Sequence, residues 1–268
     1  IAVGGISDIL ACGGRPLYYA HALTVDRRWE AEYLSRFGCG VRDVLLASGA
    51  RFIGGDCGRS ELWRCTVSVI GSCEGPPVLR RGAAPGDLIY LSGSVGAGNL
   101  EAALTLRGPA EPIRTQFSVR LAEAAVARKY AAACMDTSDG VCAALNTVAD
   151  LNGCGYTVEN LPYLPAGLRY LEQAGLPGTL LFLGECGEYE LLFAVKPQHE
   201  ALLLAEAQSA GLVFHRLGAF TPNGRVLREG GRTLDLSSLR MHARDFEQPQ
   251  QYLQSLLQWL GQQRSSEP

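Results

Sequence analysis

The stretch "CMDTSDGV", Cys134–Val141, decides how this chain is read. It sets Asp136 and Asp139 three residues apart among small polar residues, and a helix-like apolar run, Val141–Leu151, follows. The nearest basic residue upstream is Lys129. Two carboxylates without a neighbouring cation have two readings. Either they are turn and cap residues, with Ser138 or Asp139 as N-cap of a helix from Gly140, or they hold a metal ion.

Other segments repeat this ambiguity. "GISDIL" puts Asp8 at the start of an apolar helix, where Ser7 or Asp8 would cap it. "IGGDCGRS" puts Asp56 after two glycines, as a turn residue or as a carboxylate facing a cation. "LRRGAAPGD" offers Arg80 and Arg81, as phosphate ligands or as linker charge. "LGECGEYELLFAV" offers Glu185, Glu188 and Glu190 before a strong strand, where alternating charge reads as a wet strand face. The loop "GSVGAG" (93–98) matches neither G-x-G-x-x-G nor a Walker A loop, and reads as a tight strand-to-helix connection, with a phosphate-touching role as the alternative. His21, His199, His215 and His242 form neither a metal spacing nor a nucleophile–base arrangement.

Bulk properties bound the answer. The chain has 268 residues, 47% hydrophobic and 19% charged, with a net charge of −3. That suits a globular protein of two domains and disfavours a general nucleic-acid surface. No apolar run has the length of a membrane span, and no signal peptide is visible. The nine cysteines form no C-x-x-C pair. They read as small, mostly buried apolar residues in a reducing compartment, hence the cytoplasm.

Periodicity predicts a helix over 27–50, interrupted at Gly38–Gly40, then a strand over 62–72 and a domain junction at Pro76–Pro77. "LIYLSG" reads as a buried strand and "NLEAALTL" as a helix. Residues 114–133 read as one amphipathic helix. "YTVENL", "ELLFAV" and "VFHRLGAF" read as strands, and "QHEALLLAEAQSAG" as a helix stopped by Gly211. A hairpin turning at Gly230–Gly231 and a terminal helix over 247–263 complete the chain. The division is 1–76, 77–246 and a helical tail 247–268, with α+β character in both domains.

Taken in order, "SDILACGGRP", "IGGDCGRS", "LRRGAAPGDLIYLSG", "MDTSDGV" and "GEYELLF" resemble the successive motifs of thiamine-monophosphate kinase. That family lies in the superfamily of aminoimidazole ribonucleotide synthetase, selenophosphate synthetase and the hydrogenase-maturation carbamoyl dehydratase. The resemblance runs from Ile1 to Leu236. It implies a two-domain α+β architecture of the aminoimidazole ribonucleotide synthetase type and a homodimer. It also implies ATP and Mg²⁺ as cofactors, with a small phosphorylated metabolite as substrate. Asp8, Asp56, Asp136 and Asp139 would be metal ligands; Gly55, Asp56, Arg80 and Ser138 would contact ATP; Glu185 would face the substrate.

The residue types suit that chemistry. A phosphate monoester has a second pKa of about 6, so its attacking oxygen is already anionic near neutrality. The task is bringing two anions together, which positioning and cations accomplish.

The sequence also departs from the family pattern. The family's opening Gly-Asp-Asp segment would precede Ile1, so the N-terminal domain reads as incomplete, from a fragment or a short homologue. Cys57 replaces a threonine, Ala144 a carboxylate, and Leu236 the aromatic that stacks on thiamine. Gly187 stands at a glutamate position unless Glu185 supplies it after a shift. "GGRPL" and "GAGNLEAA" lean towards selenophosphate synthetase, and "LNTVADLNG" towards the hydrogenase-maturation enzyme. The alternatives are another ATP-using member of the superfamily or a non-catalytic nucleotide-binding relative.

Overall fold

Helix α1 (Ala2–Ala11) turns Ala2, Ile6 and Leu10 inward at four-residue spacing. Gly5 lies so close to the strand Arg64–Ser72 that a Cβ there would come within 2.6 Å of Val67 Cγ1. The computed structural model describes residues 1–106 and 115–264. Strand β1 (Arg15–Asp26), helix α2 (Ala31–Ser48), strand β2 (Arg51–Ser60) and strand β3 (Arg64–Ser72) follow α1. The three strands form a sheet of order β2-β1-β3, with β1 parallel to β2 and antiparallel to β3. A parallel pair needs a crossover, and α2 supplies it.

The second sheet has seven strands. They are β4 (Leu88–Leu91), β5 (Ala131–Asp136), β6 (Gly155–Val158), β7 (Leu191–Val195), β8 (His215–Thr221), β9 (Arg225–Glu229) and β10 (Arg232–Asp235). Their order is β10-β9-β6-β8-β4-β7-β5, antiparallel throughout except for β6 beside β9. The helices are α3 (Ala97–Leu106), α4 (Leu121–Tyr130), α5 (Val141–Asn152), α6 (Pro165–Gln173), α7 (Leu180–Leu183), α8 (Glu200–Ser209) and α9 (Pro249–Arg264).

Two apolar clusters sandwich this sheet. One joins Leu91, Met135 and Leu192 to Leu145, Phe182, Leu256 and Trp259 of α5, α7 and α9. The other joins Tyr90, Phe193 and Val195 to Ala127 of α4, Leu203 of α8, and Ile6, Tyr19 and Leu45 of the N-terminal elements. The second cluster therefore continues across the Pro76–Pro77 stretch and fixes α1 against the large sheet.

Several expectations are corrected. Helix α2 runs through Gly38 and Gly40 without a break. A glycine costs about 1 kcal/mol in a helix, and burial of Val41 and Leu45 on the same helix offsets it. The helix expected over 114–133 is α4 alone, and Ala131–Asp136 is a strand paired with β7. Its first residue, 114, lies outside the described residues. Pairing and burial override the helix propensity of the three alanines. "IGGDCGRS" is neither a turn nor a loop after a strand; it lies within β2. The cysteines are free, but only Cys134 and Cys142 are buried, while Cys12, Cys39, Cys57 and Cys73 are exposed.

Candidate active-site cleft

Strand β5 ends at Asp136, where the chain turns through Thr137–Gly140 into α5. Gly140 has φ 87°, and a Cβ on it would come within 2.6 Å of the Gly184 carbonyl. The loop thus packs against segment 184–186 in a conformation that side-chained residues avoid. Neither Ser138 nor Asp139 caps α5: its N-cap is Gly140, with no side-chain hydrogen bond.

Asp136 is 1% exposed. Its Oδ2 accepts a 2.6 Å hydrogen bond from Ser7 Oγ on α1, and its Oδ1 has no partner among the described residues. Burial raises its pKa; the Ser7 hydroxyl and Arg80 oppose this, and Asp8 and Asp139 reinforce it. Ser7 and Asp8 lie inside α1, not at its N-cap. A helix that buries Ser7 and exposes Asp8 places the hydroxyl on Asp136 and the carboxylate at the cleft edge. There Arg80 Nη2 stands 3.7 Å from Asp8 Oδ1.

Asp8, Asp139 and Arg80 therefore lie close enough to Asp136 to act on its ionisation. Asp56 is exposed on β2 opposite Ala22, and no ion pair links it to Arg80 among the described residues. Those residues hold no cluster of three His, Cys, Asp or Glu placed for one metal ion. Gly55 has a structural reason to be glycine: a Cβ would lie 1.8 Å from the His21 carbonyl, so it lets β2 close on β1.

The glutamates are not a wet strand face. Glu188 and Glu190 are 2% and 7% exposed. Glu188 accepts the amides of Gly96 (2.6 Å) and Ala97 (2.9 Å) at the start of α3. The donors that a phosphate would use at this Gly-rich loop are thus taken by the chain's own carboxylate. Burial pushes the Glu188 carboxyl up to about 7 despite those two amides, and Glu190 adds to the shift. Glu190 is held by Arg120 and Ser92, and its amide donates to Thr137 Oγ1. The Glu188 amide donates to the Thr137 carbonyl at 3.0 Å. The aspartate loop is therefore stitched to 188–190, and through Glu188 to α3.

Between those two glutamates sits Tyr189, with φ 57° the one positive-φ residue other than glycine among the described residues. Its ring edge lies where a Cβ on Gly4 or Gly187 would approach to 3.0 Å, and Phe117 meets it edge-on at 5.0 Å. Burial raises its hydroxyl pKa, and Asp136 and Asp139 reinforce the shift. Glu185, expected to face substrate, instead accepts the Ala243 amide (2.7 Å) and pairs with His242 Nδ1 (2.8 Å). Leu236 is fully buried and presents nothing to a ligand.

The sequence profile of the AIR synthase related protein, N-terminal domain, matches residues 1–73, and that of the C-terminal domain matches 84–228. The chain belongs to the AIR synthase related family. Within the family it is similar to thiamine-monophosphate kinases. The Halobacterium salinarum enzyme is 32% identical over 196 residues, covering 72% of this chain and 66% of that one. The Methanospirillum hungatei enzyme is 31% identical over 233 residues, covering 84% and 76%. The solved structure "AaThiL complexed with AMPPCP and TMP" superposes with a TM-score of 0.71 at 25% identity, covering 87% of this chain and 78% of that chain. The α+β architecture expected from the sequence is the one these AIR synthase-like structures share.

Proposed function

We propose that this chain is an ATP- and Mg²⁺-dependent kinase that transfers a phosphoryl group from ATP to the phosphate of thiamine monophosphate. One observation carries the reading. A buried carboxylate, Asp136, keeps an unpartnered oxygen beside Asp8, Asp139 and Arg80. A buried anion with an orphan oxygen is a poor structural element and a good cation ligand. The names of the relatives and the complex with the ATP analogue AMPPCP and TMP support the same reaction.

Asp136 and Asp139 from the loop and Asp8 from α1 would each hold Mg²⁺ together with phosphate oxygens and water, not as one three-carboxylate cage, and that charge would screen the phosphates from one another. Asp56 and Gly55 on β2, with Ser138, would serve the nucleotide. Arg80 would bind phosphate in exchange for its loose contact with Asp8. Ser7 fixes the rotamer of Asp136. The acceptor phosphate is ionised near neutrality, so the chain need not supply a general base.

We also propose a homodimer formed through the open three-stranded sheet, a cytoplasmic location, and a domain division near Pro76–Pro77. The gap between the two profile matches, 1–73 and 84–228, supports that division. No helix among the described residues is long and apolar enough to cross a membrane.

Calorimetry and turnover test the kinase reading together. The full chain should bind ATP with Mg²⁺ and release ADP when thiamine monophosphate is added. Asp139→Ala should abolish nucleotide binding, while Asp43→Ala on the exposed face of α2 should leave it intact. Equal behaviour of the two variants would remove the site assignment. Engagement of Glu185 by the 242–243 turn favours one other reading, a nucleotide-binding relative without kinase activity. Binding of ATP without turnover would select it.

A further inference from the structure

Two anionic phosphates must meet at these aspartates, and Arg80 stands beside Asp8. Asp139 has an arginine of its own. Arg244 Nη2 lies 4.0 Å from Asp139 Oδ2, with the two side chains 73% and 61% exposed. So loose and exposed a pair contributes little to stability. It leaves most of the guanidinium donors free, in the planar fork that matches a phosphate. Arg120, by contrast, is committed to Glu123 and Glu190.

The turn carrying Arg244 is anchored far more firmly than a surface turn requires. Glu185, only 12% exposed, spends both carboxylate oxygens on it, one on His242 Nδ1 and one on the Ala243 amide. Asp245 closes the turn on itself: its Oδ2 accepts the His242 amide at 3.2 Å, and its amide donates to the His242 carbonyl at 3.0 Å. Phe246 packs on Tyr252 of α9, ring centroids 5.7 Å apart. A flexible, exposed cation thus stands on a fixed base beside the aspartate loop.

We propose that Arg244 binds the phosphate monoester of the acceptor on the Asp139 side of the cleft. In this arrangement the Glu185–His242–Ala243 bracket is the positioning element that holds it there. The assignment rests on the kinase reading for its acceptor, and it gives Glu185 an indirect substrate role through Arg244.

The test is kinetic and uses the full chain with ATP, Mg²⁺ and thiamine monophosphate. Arg244→Ala should raise the acceptor KM about tenfold, as loss of one charge-assisted phosphate contact does. The nucleotide KM should stay within about twofold, and Arg244→Lys should recover part of the loss. Glu185→Ala should shift the acceptor KM in the same direction. If that variant fails to fold, the exposed Arg244 variants still decide. An unchanged acceptor KM in Arg244→Ala, or an equal rise in both KM values, overturns the proposal.

Calorimetry separates this failure from failure of the kinase reading. Wild type should bind thiamine monophosphate more tightly than unphosphorylated thiamine, and Arg244→Ala should erase that preference. A preference erased by the variant supports the Arg244 assignment even if no turnover occurs. No preference in wild type overturns it.

Discussion

Ser7 Oγ donates a 2.6 Å hydrogen bond to Asp136 Oδ2 across 129 residues of chain, and both side chains are buried. It ties α1 to the aspartate loop and is the single hydrogen bond made by the Asp136 carboxylate among the described residues. Ser7→Ala would leave both oxygens without a protein donor. Stability should fall by about 1–3 kcal/mol, the cost of stranding a buried acceptor. Urea unfolding without metal measures that loss. Added Mg²⁺ should recover part of it if Asp136 is a metal ligand, whereas a purely structural Asp136 predicts the same deficit with and without the ion.

Glu188 gives a pH signature. Its carboxyl is raised from its ordinary value to about 7 by burial. The folded state therefore binds a proton that the unfolded state has already released between roughly pH 4.5 and 7. Stability from this group is present at the acid end and is lost as pH rises through about 7. Glu188→Gln carries no such charge, although it leaves the amide of Gly96 or Ala97 poorly matched. The melting-temperature deficit of Glu188→Gln relative to wild type should shrink between pH 5 and pH 8. A deficit that widens over that range would contradict the assignment of the shift.

The aspartate loop and its neighbours were legible because their signal is local. A strand, a short polar turn and a helix lie within residues 131–152, and the glycines and aspartates carry the pattern. Glu188 was not legible. Beside Tyr189 and Glu190 it reads as solvent-facing, and its burial depends on amides 91 and 92 residues away in sequence. Strand β1 was missed because buried and exposed positions do not alternate regularly along it. A register shift between Tyr19 and Ala20 breaks its period. Helix α7, four residues long and buried on every side, offers no amphipathic repeat. Asp56 was legible as a motif, but the expected convergence with Asp136 depends on strand placement that no local pattern encodes.

Tyr189 separates ring from hydroxyl. Its ring occupies the space left by Gly4 and Gly187 and meets Phe117, while its hydroxyl has no hydrogen-bond partner among the described residues. Tyr189→Phe should therefore keep stability within about 0.5 kcal/mol. Tyr189→Ala should cost about 2–3 kcal/mol, because the backbone stays at positive φ and the gap between α1 and the loop is left unfilled. Chemical denaturation of both variants checks the difference. If Tyr189→Phe is the worse of the two, the hydroxyl and not the ring is what matters.

The three-stranded sheet has an outer face that a monomer would leave wet. Tyr18 and Ile70 are register partners on β1 and β3, 40% and 56% exposed. Ile53 on edge strand β2 is 56% exposed, and Trp63 before β3 is 49% exposed. An unpaired edge with adjacent large apolar residues is costly in solution and is usually covered. Association through this sheet would cover it. Light scattering at micromolar concentration should give twice the chain mass for wild type. Ile70→Glu should give the mass of one chain, because a buried, unpaired carboxylate at the interface costs more than the lost apolar contact. Ile70 is exposed on the chain itself, so the same variant should keep a cooperative unfolding transition. A wild-type chain that stays monomeric at high micromolar concentration would sink the dimer proposal, and a dimer unaffected by Ile70→Glu would move the interface to another surface.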